Sequence, residues 1–267
     1  MSLFTTPDPI SVRVEAGAGS VRLEATERTD TAVQVRPHDE TSDADVWAAE
    51  HVRVDFRDGR LTVSALRRAR HRGRAVQIDI ALPSRSRLHA TLASAGLRAE
   101  GEYSDVRLAT AGGDVDIDAV TGKLKAATAS GAIAVQKMDG YASISTSSGS
   151  VRVETLDGEL KFKAASGSLS IDTMRGAAKS RTASGSVIIE SAMRGVVAAH
   201  TSSGEVALGV PEGTAVRFDI VTGSGTVTNR LHPVDGPDDD DQTLVLQVRS
   251  GSGDVHIHRD PVVAPAT

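Results

Sequence analysis

The sequence contains no cysteine and few aromatic residues. None of its 267 residues is Cys, and Phe, Trp and Tyr together make up 3%. The lack of cysteine excludes disulfide bonds, cysteine nucleophiles and thiolate metal sites. The scarcity of large rings suits a narrow interior that is filled mainly by Val, Ile, Leu and Ala.

Long apolar runs and an excess of positive charge are also missing. No stretch approaches 18 consecutive apolar residues, so no transmembrane helix is predicted. The formal net charge is −5, so the overall charge balance does not favour nucleic-acid binding. The first residues, MSLFTTPDPI, lack a basic start followed by an apolar run, and we therefore expect no signal peptide and a cytoplasmic protein.

Glycine, in contrast, recurs with a fixed period. One series, spaced by 18 residues, consists of Gly113, Gly131, Gly149, Gly167 and Gly185. A second series follows nine residues behind and consists of Gly122, Gly140, Gly158 and Gly176. The first series continues at Gly204, Gly225 and Gly253 with longer steps. A constant period of this length is typical of stacked repeat architectures.

Each period contains two stretches in which apolar residues alternate, which is the periodicity of strands. In one coil these are Val151/Val153 and Leu160/Phe162, with Leu156 at an apolar corner between them. The equivalent corner residues of other coils are Val120, Met138 and Met174. The sequence therefore predicts an all-β fold, a β-solenoid with 18-residue coils of two short strands and β-rich N- and C-terminal caps.

The regularity of the repeat changes along the chain and predicts five segments. These are a disordered N-terminus (1–9), a β-rich cap with the first coils (10–92), regular solenoid repeats (93–227), C-terminal cap strands (228–258) and a disordered tail (259–267). Within the first cap, Asp58-Gly59 predicts a β-hairpin, and Ser42–Glu50 predicts one or two helical turns.

Hydroxyl residues mark the coil corners. Thr110, Thr128, Thr146 and Thr182 each stand three positions before a Gly of the first series. Such hydroxyls can satisfy backbone groups of turns, so we interpret them as a turn ladder rather than as nucleophiles. No catalytic motif stands in the context that it needs, and we expect a non-enzymatic protein without a metal or cofactor.

Outward strand positions carry segregated charges. Acidic residues fall on the first strand of the coil and include Asp118, Glu154, Asp172 and Glu190. Basic residues fall on the second strand, and the candidate surface for an anionic partner consists of Lys125, Lys161, Lys163, Lys179 and Arg181. The alternative is that these side chains are merely solvated. A local basic patch could bind anions although the whole chain is acidic.

Other charged clusters are weaker candidates. The basic run Arg67–Arg74 is a second possible contact surface, and the acidic loop with Asp235 and Asp238–Asp241 is a possible but disfavoured Ca²⁺ site. His256 and His258 alternate on one strand without a third ligand.

The motif T-x-S-G-S-V-x-V-x-x-L-x-G at Thr146–Gly158 resembles the bacterial putative-adhesin family of unknown function with a toastrack-type β-solenoid domain. Gly19–Leu23 and Gly251–Val255 extend the resemblance over about residues 10–258. The resemblance implies a non-enzymatic domain that is often linked to envelope-stress or membrane-associated signalling systems.

Two main functional hypotheses follow. The first is an interaction module that binds a protein or an anionic surface, and the second is a self-assembling scaffold similar to bactofilins. Segments long enough to cap both ends of the solenoid favour the first, although self-association remains open. A carbohydrate-active β-helix enzyme is the least favoured alternative, because minimal coils leave no loops to build a cleft.

Overall fold

The computed structural model describes residues 1–65, 74–231 and 242–260. This described part contains one helix and nineteen strands, and the chain divides into two units, Met1–Gly140 (unit 1) and Tyr141–Thr267 (unit 2). Each unit is built mainly from stacked parallel strands, which confirms the predicted all-β solenoid fold.

Unit 1 contains β1 (Ser2–Thr5), β2 (Ser11–Ala16), β3 (Gly19–Thr26), β4 (Asp30–Pro37), α1 (Asp43–Glu50), β5 (Arg53–Arg57), β6 (Arg60–Ser64), β7 (Val76–Pro83), β8 (Ser86–Leu92), β9 (Gly96–Thr110) and β10 (Val115–Thr128). Strand β11 (Ile133–Thr146) contains the division between the units. Unit 2 continues with β12 (Val151–Ala164), β13 (Leu169–Thr182), β14 (Val187–Thr201), β15 (Val206–Val210), β16 (Thr214–Thr222), β17 (Val227–Asn229), β18 (Gln242–Ser250) and β19 (Val255–Arg259).

Each regular coil is one long strand rather than the predicted two short ones. In β12 and β13 the parallel register runs through the corner, where Gly158 pairs with Gly176. These glycines have φ values of +137° and +126°, and a Cβ on Gly176 would lie 2.1 Å from the carbonyl oxygen of Gly158. Glycine thus bends the strand without interrupting its hydrogen-bonded ladder.

The predicted interior is confirmed. Val153 and Leu160 are 1% and 0% exposed, and the four corner residues Val120, Met138, Leu156 and Met174 are fully buried. Because side chains alternate across a strand, the residues between these apolar positions point outward. The periodic sequence therefore determines which charges reach the surface of each unit.

The predicted hydroxyl ladder also exists and satisfies turn backbone groups. Gly185 N donates to Thr182 Oγ1 at 3.0 Å, and Gly204 N donates to Thr201 Oγ1 at 2.8 Å. Ser250 takes the same role in the final turn, where its Oγ accepts from Gly253 N at 2.8 Å. These hydroxyls are buried, so their role is structural.

The first strands of unit 1 are stacked out of chain order. β2 pairs in parallel with β6 and β8, and β3 pairs in parallel with β7 and β9. The coil formed by β2 and β3 therefore lies between two coils that follow it in sequence. Antiparallel pairs β4–β7, β1–β4 and β5–β6 continue the stack on its outer side.

Local predictions for this region are mostly confirmed. Asp58 and Gly59 have φ values of +49° and +70° in the turn between β5 and β6, and α1 begins after its N-cap Ser42. The predicted disorder of residues 1–9 is corrected, because Ser2–Thr5 forms strand β1. Phe4 of β1 packs against Phe56 of β5, with ring centroids 5.1 Å apart.

The last strands of unit 2 are likewise inserted between earlier ones. β18 pairs in parallel with β14 on one side and with β16 on the other. β19 similarly lies between β15 and β17. The cap strands β18 and β19 therefore lie inside the stack, and β16 and β17 form its outermost described coil.

Close glycine packing supports this order. A Cβ on Gly253 would lie 2.0 Å from the oxygen of Gly204, and a Cβ on Gly225 would lie 2.2 Å from the oxygen of Gly253. The turn glycines thus stack in the order 204, 253, 225 and not in chain order.

Several predicted segments fall outside the described residues. These are Arg67–Arg72 of the basic run, the acidic loop with Asp235 and Asp238–Asp241, and residues 261–267 of the tail. Arg74, at the end of the basic run, is described, and its guanidinium lies 4.0 Å from the centroid of the Trp47 ring. Trp47 also stacks on His51 of the α1 C-cap.

Candidate functional site

Unit 2 presents basic side chains directly before the hydroxyl ladder. Thr182, Thr201 and Ser250 are buried, and in a strand the preceding residue points to the opposite side. Arg181, His200 and Arg249 are consequently exposed. The same strand alternation that buries the turn hydroxyls therefore places these three basic side chains outside.

Parallel register aligns these side chains in one column. Lys163 pairs with Arg181, Arg181 with His200, and His200 with Arg249. We call these four residues the basic column. Neighbouring strands lie about 4.8 Å apart, so the column extends over about 14 Å. Insertion of β18 beside β14 supplies its fourth member, Arg249.

Ion pairing differs along the basic column. Arg249 forms two hydrogen bonds to the Asp219 carboxylate, Nη1 to Oδ1 at 3.0 Å and Nη2 to Oδ2 at 2.7 Å, and these bonds lower the pKa of Asp219. Lys163 and Arg181 form no ion pair with any described residue. Their charges are the ones that remain available to a partner.

Lys161 and Lys179 also lie on adjacent strands, but they share an acidic partner. The Nζ atoms of Lys179 and Lys161 lie 3.1 Å and 3.4 Å from Glu159 Oε1. The hydrogen bond from Lys179 is the main cause that lowers the pKa of Glu159. Lys161 also lies 5.0 Å from the centroid of the Tyr141 ring. Glu159 therefore offsets part of the positive charge of this pair.

Lys125, the fifth predicted residue, belongs to unit 1. It pairs with Arg107 of β9, which pairs in turn with His89 of β8. All three side chains are exposed. Unit 1 thus carries a shorter basic column of its own at the repeat position that Lys161 and Lys179 occupy in unit 2.

The basic column borders a shallow depression of about 360 Å³. Arg181, His200 and Arg249 contribute its charged part, and Val221 contributes an exposed apolar side chain. Thr182, Thr201 and Ser250 also line it, but the hydroxyl of each accepts a hydrogen bond from a turn glycine. The available recognition groups are therefore cationic.

The side of the coil with the acidic columns is not uniformly acidic. Arg152 Nη2 lies 2.7 Å from Asp172 Oδ2. In unit 1, Glu100 pairs with both Arg22 and Arg98, at 2.9 Å and 2.7 Å. The expected segregation of the two charges is thus incomplete, because arginines lie among the acidic columns and Glu159 lies beside Lys161 and Lys179.

A second depression, in unit 1, has a volume of about 440 Å³ and contains Arg22, Arg28 and Arg36. All three arginines form ion pairs, with Glu100, Asp30 and Asp79 respectively. His256 lies 3.8 Å from Glu205, and no cluster of three or more potential metal ligands occurs within the described ranges. These features offer less free charge than the basic column.

Sequence reasoning identified Lys163 and Arg181 but missed His200 and Arg249. The signal was available, because His200 and Arg249 also precede a hydroxyl that stands three residues before a turn glycine. What the sequence did not reveal was the insertion of β18, which makes Arg249 the neighbour of His200.

The fold and its surface define the class of domain, a β-solenoid with stacked coils and exposed charge columns. A family model described as Toastrack DUF4097 matches residues 9–209. The chain therefore belongs to this family, which confirms the resemblance inferred from its turn and core motifs. Curated proteins provide no match.

Several solved structures are similar to this chain. One, a putative lipid binding protein from Parabacteroides distasonis, is 14% identical with a TM-score of 0.55, and the match covers 95% of each chain. Another, a putative adhesin from Bacteroides fragilis, is 12% identical with a TM-score of 0.44 over 96% of this chain and 95% of that one. The first likeness supports the fold.

Within the described ranges, no helix is long and apolar enough to span a membrane.

Proposed function

We propose that this protein is a non-enzymatic binding module that contacts an extended anionic surface through the basic column of unit 2. The observation that carries the proposal is the alignment of Lys163, Arg181, His200 and Arg249 on four successive strands. All four are exposed, and the first two lack an ion pair among the described residues.

The spacing of the column favours a partner with several negative charges. The side chains of the basic column are about 4.8 Å apart, so a single small anion can contact only one or two of them. A surface of anionic lipid headgroups presents charges over the whole length of about 14 Å and could engage several members at once. Each Lys or Arg near such a surface contributes about 1 kcal/mol. An acidic protein segment is the alternative partner.

The hydroxyls beside the column support binding rather than catalysis. Thr182, Thr201 and Ser250 are buried acceptors of turn N–H groups, and a hydroxyl engaged in this way is not presented to a substrate. We also predict a link to envelope-stress or regulatory systems and a cytoplasmic location. Both predictions agree with a role at a membrane surface.

The test is binding to vesicles that contain phosphatidylglycerol, at physiological ionic strength. Neutralising Lys163→Gln together with Arg181→Gln should weaken binding by about 30-fold, since two contributions of about 1 kcal/mol are lost. Wild-type binding should also weaken as salt is added, because exposed charges are screened. Thermal stability should be nearly unchanged.

The matched control is Arg175→Gln with Arg194→Gln. These two exposed arginines also pair across β13 and β14, but they lie at the Gly176 corner. The control changes the net charge equally and should retain most of the binding. Equal losses in both double variants would mean that overall charge, not the column, determines binding. Retention on polyglutamate but not on vesicles would favour the acidic-protein alternative.

A further inference from the structure

The outermost described coil of unit 2 has an unpaired edge. β16 pairs with β18 over nine residues without a register shift, and β17 pairs with β19. Within the described residues, neither strand has a partner on its other side. β16 also contains no Pro or Lys, two residues that commonly protect sheet edges from association.

Among the residues that the structure describes, none covers the interior of the solenoid at this edge. Val216, Phe218 and Ile220 are in register with Leu244, Leu246 and Val248, which are at most 1% exposed. Register neighbours in parallel strands point to the same side, so these residues of β16 face the interior. Phe218 is nevertheless 38% exposed, and Val227 of β17 is 43% exposed. Part of an apolar core is thus left uncovered, as in obligate dimer interfaces.

The sequence of β16, TAVRFDIVT, is complementary to itself in antiparallel orientation. Pairing centred on Phe218 places Arg217 opposite Asp219 and Val216 opposite Ile220, each pair occurring twice. Parallel pairing in register would instead place Arg217 beside Arg217 and Asp219 beside Asp219, and like charges directly opposite are destabilising. The antiparallel arrangement has two-fold symmetry and closes after two copies.

We propose that β16 binds β16 of a second copy of this chain, antiparallel and centred on Phe218, and so forms a closed dimer. Asp219 can serve both partners, because a carboxylate has about four acceptor sites and Arg249 occupies two in the same chain. The dimer covers the exposed interior of the last coil. It does not depend on the anionic partner proposed for the basic column.

The test uses charge-swapped variants of the full chain in sedimentation equilibrium. The wild type should be a dimer that dissociates on dilution. Arg217→Asp places acidic residues opposite one another, and Asp219→Arg places basic residues opposite one another, so each single variant should be monomeric. Mixing the two variants restores both opposite-charge pairs, and the mixture should form a heterodimer.

Arg194→Asp, the same change at an exposed site of β14, is the control and should remain dimeric. Circular dichroism melts of all variants distinguish loss of association from loss of folding. A wild type that is monomeric at every concentration contradicts the proposal. So do polymers that grow with concentration, or a dimer that survives both charge changes. If both single variants unfold, Phe218→Lys replaces them, and its dimerisation would also overturn the proposal.

Discussion

At the scale of single residues, the fold depends on a hydroxyl that recurs three positions before most of the turn glycines. Thr201 Oγ1 accepts from Gly204 N at 2.8 Å, in a region where both groups are buried. A buried N–H without an acceptor costs about 1–3 kcal/mol. In β12 the corresponding position is Ala164, where the repeat lacks the hydroxyl.

These two positions give opposite expectations for stability. Thr201→Val keeps the shape but leaves Gly204 N without its acceptor, and should lower the free energy of unfolding by about 1–3 kcal/mol. Ala164→Thr supplies an acceptor to Gly167 N and should raise it by about 0.5–1.5 kcal/mol. Thermal and urea unfolding measure both. The control is Ala164→Val, and an equal gain from Val and Thr would assign the effect to the added methyl groups.

At the scale of strands, the sequence predicts features that depend on residues close in the chain, and it does not predict features that depend on pairing between coils. The alternation of Val151 and Val153, the Asp58-Gly59 hairpin and the threonine ladder are local or periodic, and all were predictable. The uninterrupted passage of the strand through Gly158 was not, because it depends on pairing with the neighbouring coil. The ion pairs Glu159–Lys179 and Asp219–Arg249 were not predicted for the same reason, because each joins residues of two neighbouring strands.

The insertion of β18 and β19 between earlier strands was not predicted from the sequence. The lengthening steps between Gly204, Gly225 and Gly253 indicated irregularity, but periodicity alone does not state which strands become neighbours. Non-local pairing decides the order, and it brings Arg249 to His200. The placement of Arg249 beside His200 could therefore not be predicted from the sequence, although its outward position in the repeat could.

Insertion predicts an unusual response to truncation. A chain that ends at Leu231 loses β18 and β19, which are paired on both sides. In this truncated chain β16 and β17 lose their pairing partners and should unfold as well, so the melting temperature should fall strongly. Removal of Gly149–Ser166, one complete repeat, should leave a shorter folded stack, since each coil contacts mainly its neighbours. If the truncated chain melted like the intact one, β18 and β19 would not be internal.

At the scale of the molecule, charge distribution matters more than net charge. The chain carries a formal charge of −5, yet unit 2 exposes the basic column on four successive strands. The repeat makes this possible, because one outward position per coil becomes one line on the surface. The open edge at β16 follows from the same architecture, since a stack of coils must end somewhere and Phe218 lies at that end.

The stacking order of unit 2 places β18, and not β16, beside β14. Because the chain has no cysteine, two engineered cysteines can test this order without competing disulfides to native cysteines. His200 and Arg249 are direct neighbours, about 4.8 Å apart, which is within the range for a disulfide. His200 and Val221 are two strands apart, at about 9.6 Å, which is beyond that range. Oxidation should therefore cross-link His200→Cys with Arg249→Cys and leave His200→Cys with Val221→Cys reduced. Cross-linking of the second pair but not the first would show that the coils stack in chain order and would contradict both the inserted strands and the basic column.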